Sequence, residues 1–229
     1  MRQISLSITN FNRFDLLVKS YEQVKDDPRI SEIIIVDDCS LPHFRDELDT
    51  LNDGKTKVHY NTHNLGVYKN KHRSVQLATN ERVIVFDSDN ILRPNYIDRI
   101  YEIEKWDDST VYLPSFGRPE FDWRGLIGAY TKKNIAFNIR RPKIDTLINA
   151  MNYFVNREKY LSVFDPSVEP ISADSIYINY LLLKSGCTLE VLEGLEYDHL
   201  IHNGSHYVQN RGESNNMYAK ILNKLKTMI

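Results

Sequence analysis

Nine glycines in 229 residues is a low count, and none of them forms a phosphate-cradling cluster. Neither Gly-x-Gly-x-x-Gly nor a Walker loop occurs, which argues against dinucleotide oxidoreductases and P-loop enzymes. Cysteine is scarcer still. Cys39 and Cys187 lie far apart with no metal-type spacing, so they read as reduced residues of a cytoplasmic protein. No apolar run approaches the length that spans a bilayer. Met1-Arg2-Gln3-Ile4 enters a strand at once, with no signal-type apolar region. Net charge is -2 with Lys and Arg dispersed, so no global field draws the chain to nucleic acid or to an anionic membrane. What is present is ordinary globular composition, 41% hydrophobic and 26% charged, ample for a sizeable core.

The first ninety residues alternate two periodicities. Ile4 to Thr9, Ile33 to Val36, Lys57 to Tyr60 and Arg82 to Phe86 are short β-type runs. Between them, Arg13 to Val24, Phe44 to Leu51 and Val67 to Ala78 read as helices. Strands alternating with helices imply parallel βαβ units, an α/β fold with a mostly parallel, Rossmann-like sheet. From Pro94 the pattern loosens. Tyr96 to Trp106 reads as helix, and Ser109 to Tyr130 as an irregular stretch rich in Gly, Pro and aromatics. Tyr153 to Val155 reads as a strand and Ser172 to Lys184 as a helix. Thr188 to Leu192 and Leu195 to Leu200 read as two strands, followed by a closing helix from about Ser214. No linker or repeat divides the chain, which implies one domain over 1–229 with a ligand half (1–92), a second half (93–212) and a C-terminal helix (213–229).

The chemistry gathers at strand ends. Val83-Ile84-Val85-Phe86 runs into Asp87-Ser88-Asp89, and two hard oxygen donors after a buried strand suit a divalent cation already carrying a phosphate. Thr9-Asn10-Phe11-Asn12-Arg13, Asp37-Asp38 and Asn64-Leu65-Gly66 are placed in the same way. Loops that follow parallel strands face one edge of the sheet, so the four clusters are expected to share one crevice.

In their order and spacing these clusters resemble the family-2 glycosyltransferases with a GT-A fold. Ser5 to Arg13 is similar to the opening strand and Tyr-Asn-Arg type loop of that family. Ile33 to Ser40 is similar to its Val-Asp-Asp-Gly-Ser, Asn64 to Val67 to its Asn-x-Gly, and Phe86 to Asn90 to its Asp-x-Asp strand end. Asn152 to Glu158 with Phe164-Asp165-Pro166 resembles the later acceptor-side segment.

The resemblance implies an inverting transfer of sugar from a nucleotide diphosphate, most simply a UDP-sugar, to a glycan or lipid-linked acceptor. It places Thr9 and Asp38 at the base and ribose, with Asn64 and Gly66 shaping the pocket floor and Asn10 and Arg13 among the nucleotide-binding residues. Lys71 would meet the diphosphate, and Asp87 and Ser88 are also nucleotide-binding. Asp87, Asp89 and a histidine, His199 or His202, would hold Mn²⁺ or Mg²⁺. For the general base it points to Asp174, where relatives have a Glu-Asp pair opening a helix, with Glu169 as the fallback.

Blander readings compete at several positions. Asp37-Asp38 could cap the next helix and Asp174 could cap its own. Lys71 could be a solvated surface residue, and Asp165 could serve a turn before Pro166. The aromatics from Phe116 to Tyr130, Trp123 included, could form a lid over a sugar or pack in the core. Met217, Ile221, Leu222, Leu225 and Ile229 share a helical face, either closing the domain or touching a membrane surface peripherally. A sugar-phosphate nucleotidyltransferase and an inactive GT-A-like binding module are the rival functions. The first is disfavoured by the absence of glycine from Ile8 to Arg13.

Overall fold

The computed structural model describes residues 2–170, 173–200 and 210–227. In the first half, β1 (Ile4–Asn10), α1 (Phe14–Val24), β2 (Ile30–Asp37), α2 (Pro42–Asp49), β3 (Thr56–Tyr60), α3 (Val67–Leu77) and β4 (Arg82–Asp87) follow one another. The four strands pair in parallel in the order β3-β2-β1-β4. The continuous apolar run of β2 has a simple cause. Ile33 and Ile35 belong to one core and Ile34 and Val36 to another, on opposite faces of the sheet. β4 divides in the same way, with Ile84 and Phe86 on one side and Val83 and Val85 on the other. A strand covered by helices on both faces has no polar side to show.

The second half is built from β5 (Asn90–Leu92), α4 (Pro94–Glu102), β6 (Thr110–Arg118), β7 (Phe121–Asp122), β8 (Gly128–Tyr130) and α5 (Lys132–Asn138). These are followed by β9 (Tyr153–Asn156), α6 (Arg157–Ser162), α7 (Asp174–Lys184), β10 (Thr188–His199) and α8 (Arg211–Lys226). β9 pairs antiparallel to β4 and carries the sheet on through β6 and β10 to β5. The result is one mixed, mostly parallel sheet between two helical layers.

Three expectations need correction. Ser109 to Tyr130 is not irregular, because β6 runs through it as a strand between β9 and β10. Pro114 disguised it, since proline cannot donate to a ladder. The structure accommodates Pro114 opposite Leu192, where the β6–β10 register shifts. That irregularity also explains why two strands were expected where β10 is one. The register slips between Leu192 and Glu196, and Gly194 within the slip has φ +73°. Finally, α4 stops at Glu102 rather than at Trp106. The Trp106 indole turns back and donates to the Ile100 carbonyl at 2.9 Å.

The closing helix packs on its own domain, with Ile221 and Leu225 buried. Trp123 is also buried, stacked on Phe121 and donating through its indole to Thr146 Oγ1 at 2.9 Å. Core packing, not a lid, accounts for that residue.

Candidate active site

Register brings the strand ends level. Thr9 lies opposite Val36 on one side and Asp87 on the other, and Asn10 lies opposite Asp37. The loops that leave the sheet are then tied together. The Asp38 N–H donates to the Asn10 carbonyl at 2.8 Å and the Ser88 N–H to the Thr9 carbonyl at 3.3 Å. All four sequence clusters meet at this edge.

Asp37 and Asp38 divide their labour. Asp37 is fully buried and accepts from Asn10 Nδ2 (3.0 Å), the Ser40 N–H (2.9 Å) and the Ser40 hydroxyl, with Arg45 Nε at 3.7 Å. Its work is to hold the loop. The cap of α2 is Leu41, without a side-chain cap bond, so neither acid caps that helix.

Asp38 instead fixes the loop before α3. Oδ1 accepts from the Leu65 N–H and from Asn61 Nδ2, each at 2.7 Å, and Oδ2 accepts from the Gly66 N–H at 3.0 Å. Burial pushes the Asp38 carboxyl up, and these three donors only partly offset it. Asn64 Oδ1 also accepts from the Gly66 N–H at 2.9 Å, closing a tight Asx-type turn. Gly66 itself has φ +80°, and a Cβ there would stand 3.1 Å from Glu169 Oε1. The positive φ calls for glycine, while the half-exposed Glu169 side chain could give way. A cavity of about 440 Å³ opens here, lined by His63, Asn64, Leu65, Gly66, Lys69 and Glu169. Lys69 and Glu169 are joined across it by an ion pair.

The centre of the edge is Lys71. It is buried, not a solvated surface residue. Its Nζ lies 2.7 Å from Asp87 Oδ1 and 2.7 Å from Asp174 Oδ2. Burial disfavours the ammonium, but Asp174 and Asp87 outweigh that cost, and the net shift of Lys71 is upward. Burial raises Asp87; Lys71 opposes this, while Asp89 and Asp174 add repulsion. Asp174 opens α7, yet the N-cap is Ala173 and no side-chain cap bond forms. The carboxylate is engaged by Lys71, so the capping reading of Asp174 is overturned. The Lys71 ammonium therefore ties the strand end of the first half to the helix start of the second.

Asp89 is held by Arg13, with NH1 to Oδ2 at 2.6 Å. His199 stands on the neighbouring strand with Nδ1 2.9 Å from Asn90 Oδ1, Nε2 3.8 Å from Glu120 Oε2, and its ring edge-on to Phe121. Among the described residues, no three His, Cys, Asp or Glu side chains gather as a metal site, so Asp87, Asp89 and His199 do not form a ready-made ligand set. His202 lies outside the described residues. The donor chemistry nonetheless suits a hard cation. Asp87 and Asp89 repel each other at the strand end, and each has drawn a cationic side chain.

Four supporting residues escaped the sequence reading. Asn61 and Asn70 are buried and bonded to each other at 2.9 Å behind Asp38. Asn90 engages His199. Asn152, at φ +57°, accepts the Asp87 N–H on Oδ1 at 2.9 Å. Asparagine in a left-handed conformation just before a strand is the local signal that could have marked the last. Asp165 serves its turn as expected, accepting from the Ser167 N–H at 3.0 Å and also from the Tyr177 hydroxyl at 2.8 Å.

A mostly parallel sheet that gathers acids, a buried lysine and a glycine turn at the carboxyl ends of its strands defines an α/β protein of the GT-A type. The chain belongs to glycosyl transferase family 2, whose family model matches residues 5–163. Glycosyltransferase GlyG of Streptococcus pneumoniae serotype 4 is 26% identical over 116 residues, 49% of this chain and 38% of that protein. The S. aureus TarS 1-349 structure in complex with UDP-GlcNAc superposes with a TM-score of 0.70 at 18% identity, covering 96% of this chain and 66% of that one. GalNAc-T7 with UDP, GalNAc and Mn²⁺ gives 0.67 at 18% identity, covering 89% of this chain and 44% of that one. The chain thus spans less than two thirds of the length of each of these relatives. No described helix is long and apolar enough to cross a membrane.

Proposed function

We propose that the chain transfers a sugar from a nucleotide diphosphate, a UDP-sugar by preference, to a hydroxyl of a glycan or lipid-linked acceptor, with inversion at the anomeric carbon. The observation that carries this reading is the Lys71 bridge. It brings a donor-side strand acid, Asp87, and a second-half acid, Asp174, to one ammonium at 2.7 Å each. The TarS and GalNAc-T7 structures that share the fold hold UDP, UDP-GlcNAc or GalNAc.

In this reading the base and ribose lie between Thr9, Asp38 and the Asn64–Gly66 turn. Asp38 accepts from base or ribose donors, as carboxylates do. Asn10, bonded to Asp37, and Ser88, whose backbone N–H bonds the Thr9 carbonyl, belong to the same nucleotide side. Asp87 and Asp89, with His199 as the third candidate, would hold Mn²⁺ or Mg²⁺, which would supply Lewis-acid neutralisation of the departing diphosphate. Lys71 and Arg13 add positive charge on the same side.

Asp174 is the base in preference to Glu169. Asp174 is at the charged centre, whereas Glu169 is paired with Lys69 over the cavity. Asp174 takes the acceptor hydroxyl proton as the acceptor oxygen bonds to the anomeric carbon. The bond from that carbon to the phosphate oxygen breaks, and its electron pair leaves with the nucleoside diphosphate.

Calorimetric titration with UDP, GDP and dTDP, each with and without Mn²⁺, tests the reading. Micromolar binding of UDP that is lost with chelator is the expected result. No metal-linked binding of any nucleotide would falsify the transferase assignment and favour a binding module on the same fold.

A further inference from the structure

Charge in this chain is dispersed except in two acid-free stretches, Gly54 to Asn80, whose Lys69 and Lys71 are ion-paired, and Trp123 to Ile144. From Trp123 to Ile144 there is no acid, while Arg124, Lys132, Lys133, Arg140, Arg141 and Lys143 supply six cations, in a chain of net charge -2. Arg124 and Lys143 pair with Asp122. No ion pair among the described residues engages Lys132, Lys133, Arg140 or Arg141, and the last three are exposed, as is Lys143. The same segment carries the most exposed large apolar side chain described, Phe137 at 82%, on the short helix α5. Ile127, 44% exposed, precedes it. Helix α5 is fixed from below by buried Ile135 and Ala136, and packs on α8. α8 adds Lys220, Lys224 and Lys226, with Glu213 as its one acid.

An exposed phenylalanine among unpaired cations is expensive in water and serves no packing role here. Charge alone would suit any polyanion. An exposed aromatic ring in the same segment as the cations suits a surface that is anionic outside and apolar just beneath. We propose that α5 and the Arg140–Lys143 segment form a contact surface for an anionic lipid bilayer, with Phe137 entering the headgroup boundary and Lys132, Lys133, Arg140 and Arg141 on lipid phosphates. The apolar face of α8 is committed to the core, so the contact belongs to α5 and not to the closing helix. This surface is independent of the transferase reading, because its test measures binding and not transfer.

The experiment is co-sedimentation of the whole chain with vesicles of phosphatidylcholine alone and of phosphatidylcholine with phosphatidylglycerol. Binding to the anionic vesicles only, weakening with salt, is expected. Phe137→Ser and the pair Arg140→Gln, Arg141→Gln should each reduce it by about tenfold or more, with unchanged melting temperatures. Phe137→Trp should show a blue-shifted emission on anionic vesicles. The proposal is overturned if the wild-type chain ignores anionic vesicles, or if it binds them but neither variant weakens the binding. It is also overturned if soluble polyphosphate binds with the same arginine dependence while Phe137→Ser has no effect on either ligand, which would mark a polyanion site instead.

Discussion

Asp38 and Asp87 stand at the ends of the two strands that flank β1, and the chain neutralises them in opposite ways. Asp38 is held by neutral donors, two backbone N–H groups and the Asn61 amide. Asp87 is held by the Lys71 charge, with the Asn152 side chain on its own backbone N–H. Dipoles around Asp38 leave its net charge uncancelled. The ammonium beside Asp87 makes its charge part of a three-group centre in which loss of the ammonium leaves two buried acids unpaired. The donor side of the cleft is thus built to be filled, and the middle is built to be balanced.

Removing the balance should have the largest effect. Lys71→Met leaves Asp87 and Asp174 buried without a counter-charge and should cost about 3–5 kcal/mol, read by urea unfolding. Adding Asp174→Asn to that variant should recover part of the loss. Equal stability of Lys71→Met and wild type would show that the centre is not held by charge.

Next is Asp174→Asn alone, expected to slow transfer by about 100-fold or more while UDP affinity changes little. Glu169→Gln should leave most of the transfer rate intact. The reverse pattern would move the base to Glu169.

On the other side of the comparison, Asp38→Asn keeps the size of the side chain and removes its charge, and should weaken UDP binding by about tenfold. Two opposed pH dependences follow from the raised Asp38 carboxyl. A raised acid favours the fold while protonated, so its contribution is full below the ordinary carboxylate range and is lost as pH rises through the raised value. UDP binding needs the ionised acceptor and should grow over the same interval. Asp38→Asn should flatten both profiles, the first followed by unfolding and the second by calorimetry.

The smallest effect concerns the turn between the two acids and α2. Cys39 has φ +68° where the resembling motif has glycine. Cys39→Gly should relieve that strain for a net gain of about 0.5–1 kcal/mol, seen as a higher urea midpoint.

The donor half was legible in the sequence because two of its strands, β2 and β4, are covered on both faces and write themselves as apolar runs ending in acids. β6 was not, because Pro114 and Gly117 break its β-type appearance. Pro114 is tolerated at the register shift, and Gly117 is required because a Cβ would come within 2.6 Å of the Tyr197 ring. The burial of Lys71 was hidden for a different reason. α3 buries Tyr68, Asn70, Lys71, Ser74 and Val75, a face half polar, which no apolar periodicity reveals. A lysine goes inside only if a partner awaits it, and Asp174 is 103 residues away. The candidate base was legible as a residue, but its engagement with Lys71 was visible only once the chain was folded.

That separation also bears on the order in which the molecule comes together. The four parallel strands and their helices are complete once residue 87 has been made, but the Lys71 ammonium then has only one of its two acids. Its second arrives with α7, beyond the stretch that matches the family model. Because non-local contacts must bear loop closure before they are rewarded, the charged centre should be among the last parts to lock. A chain interrupted before α7 would lack the second acid of Lys71 as well as β10, and should be open to quality-control proteases around that unbalanced lysine.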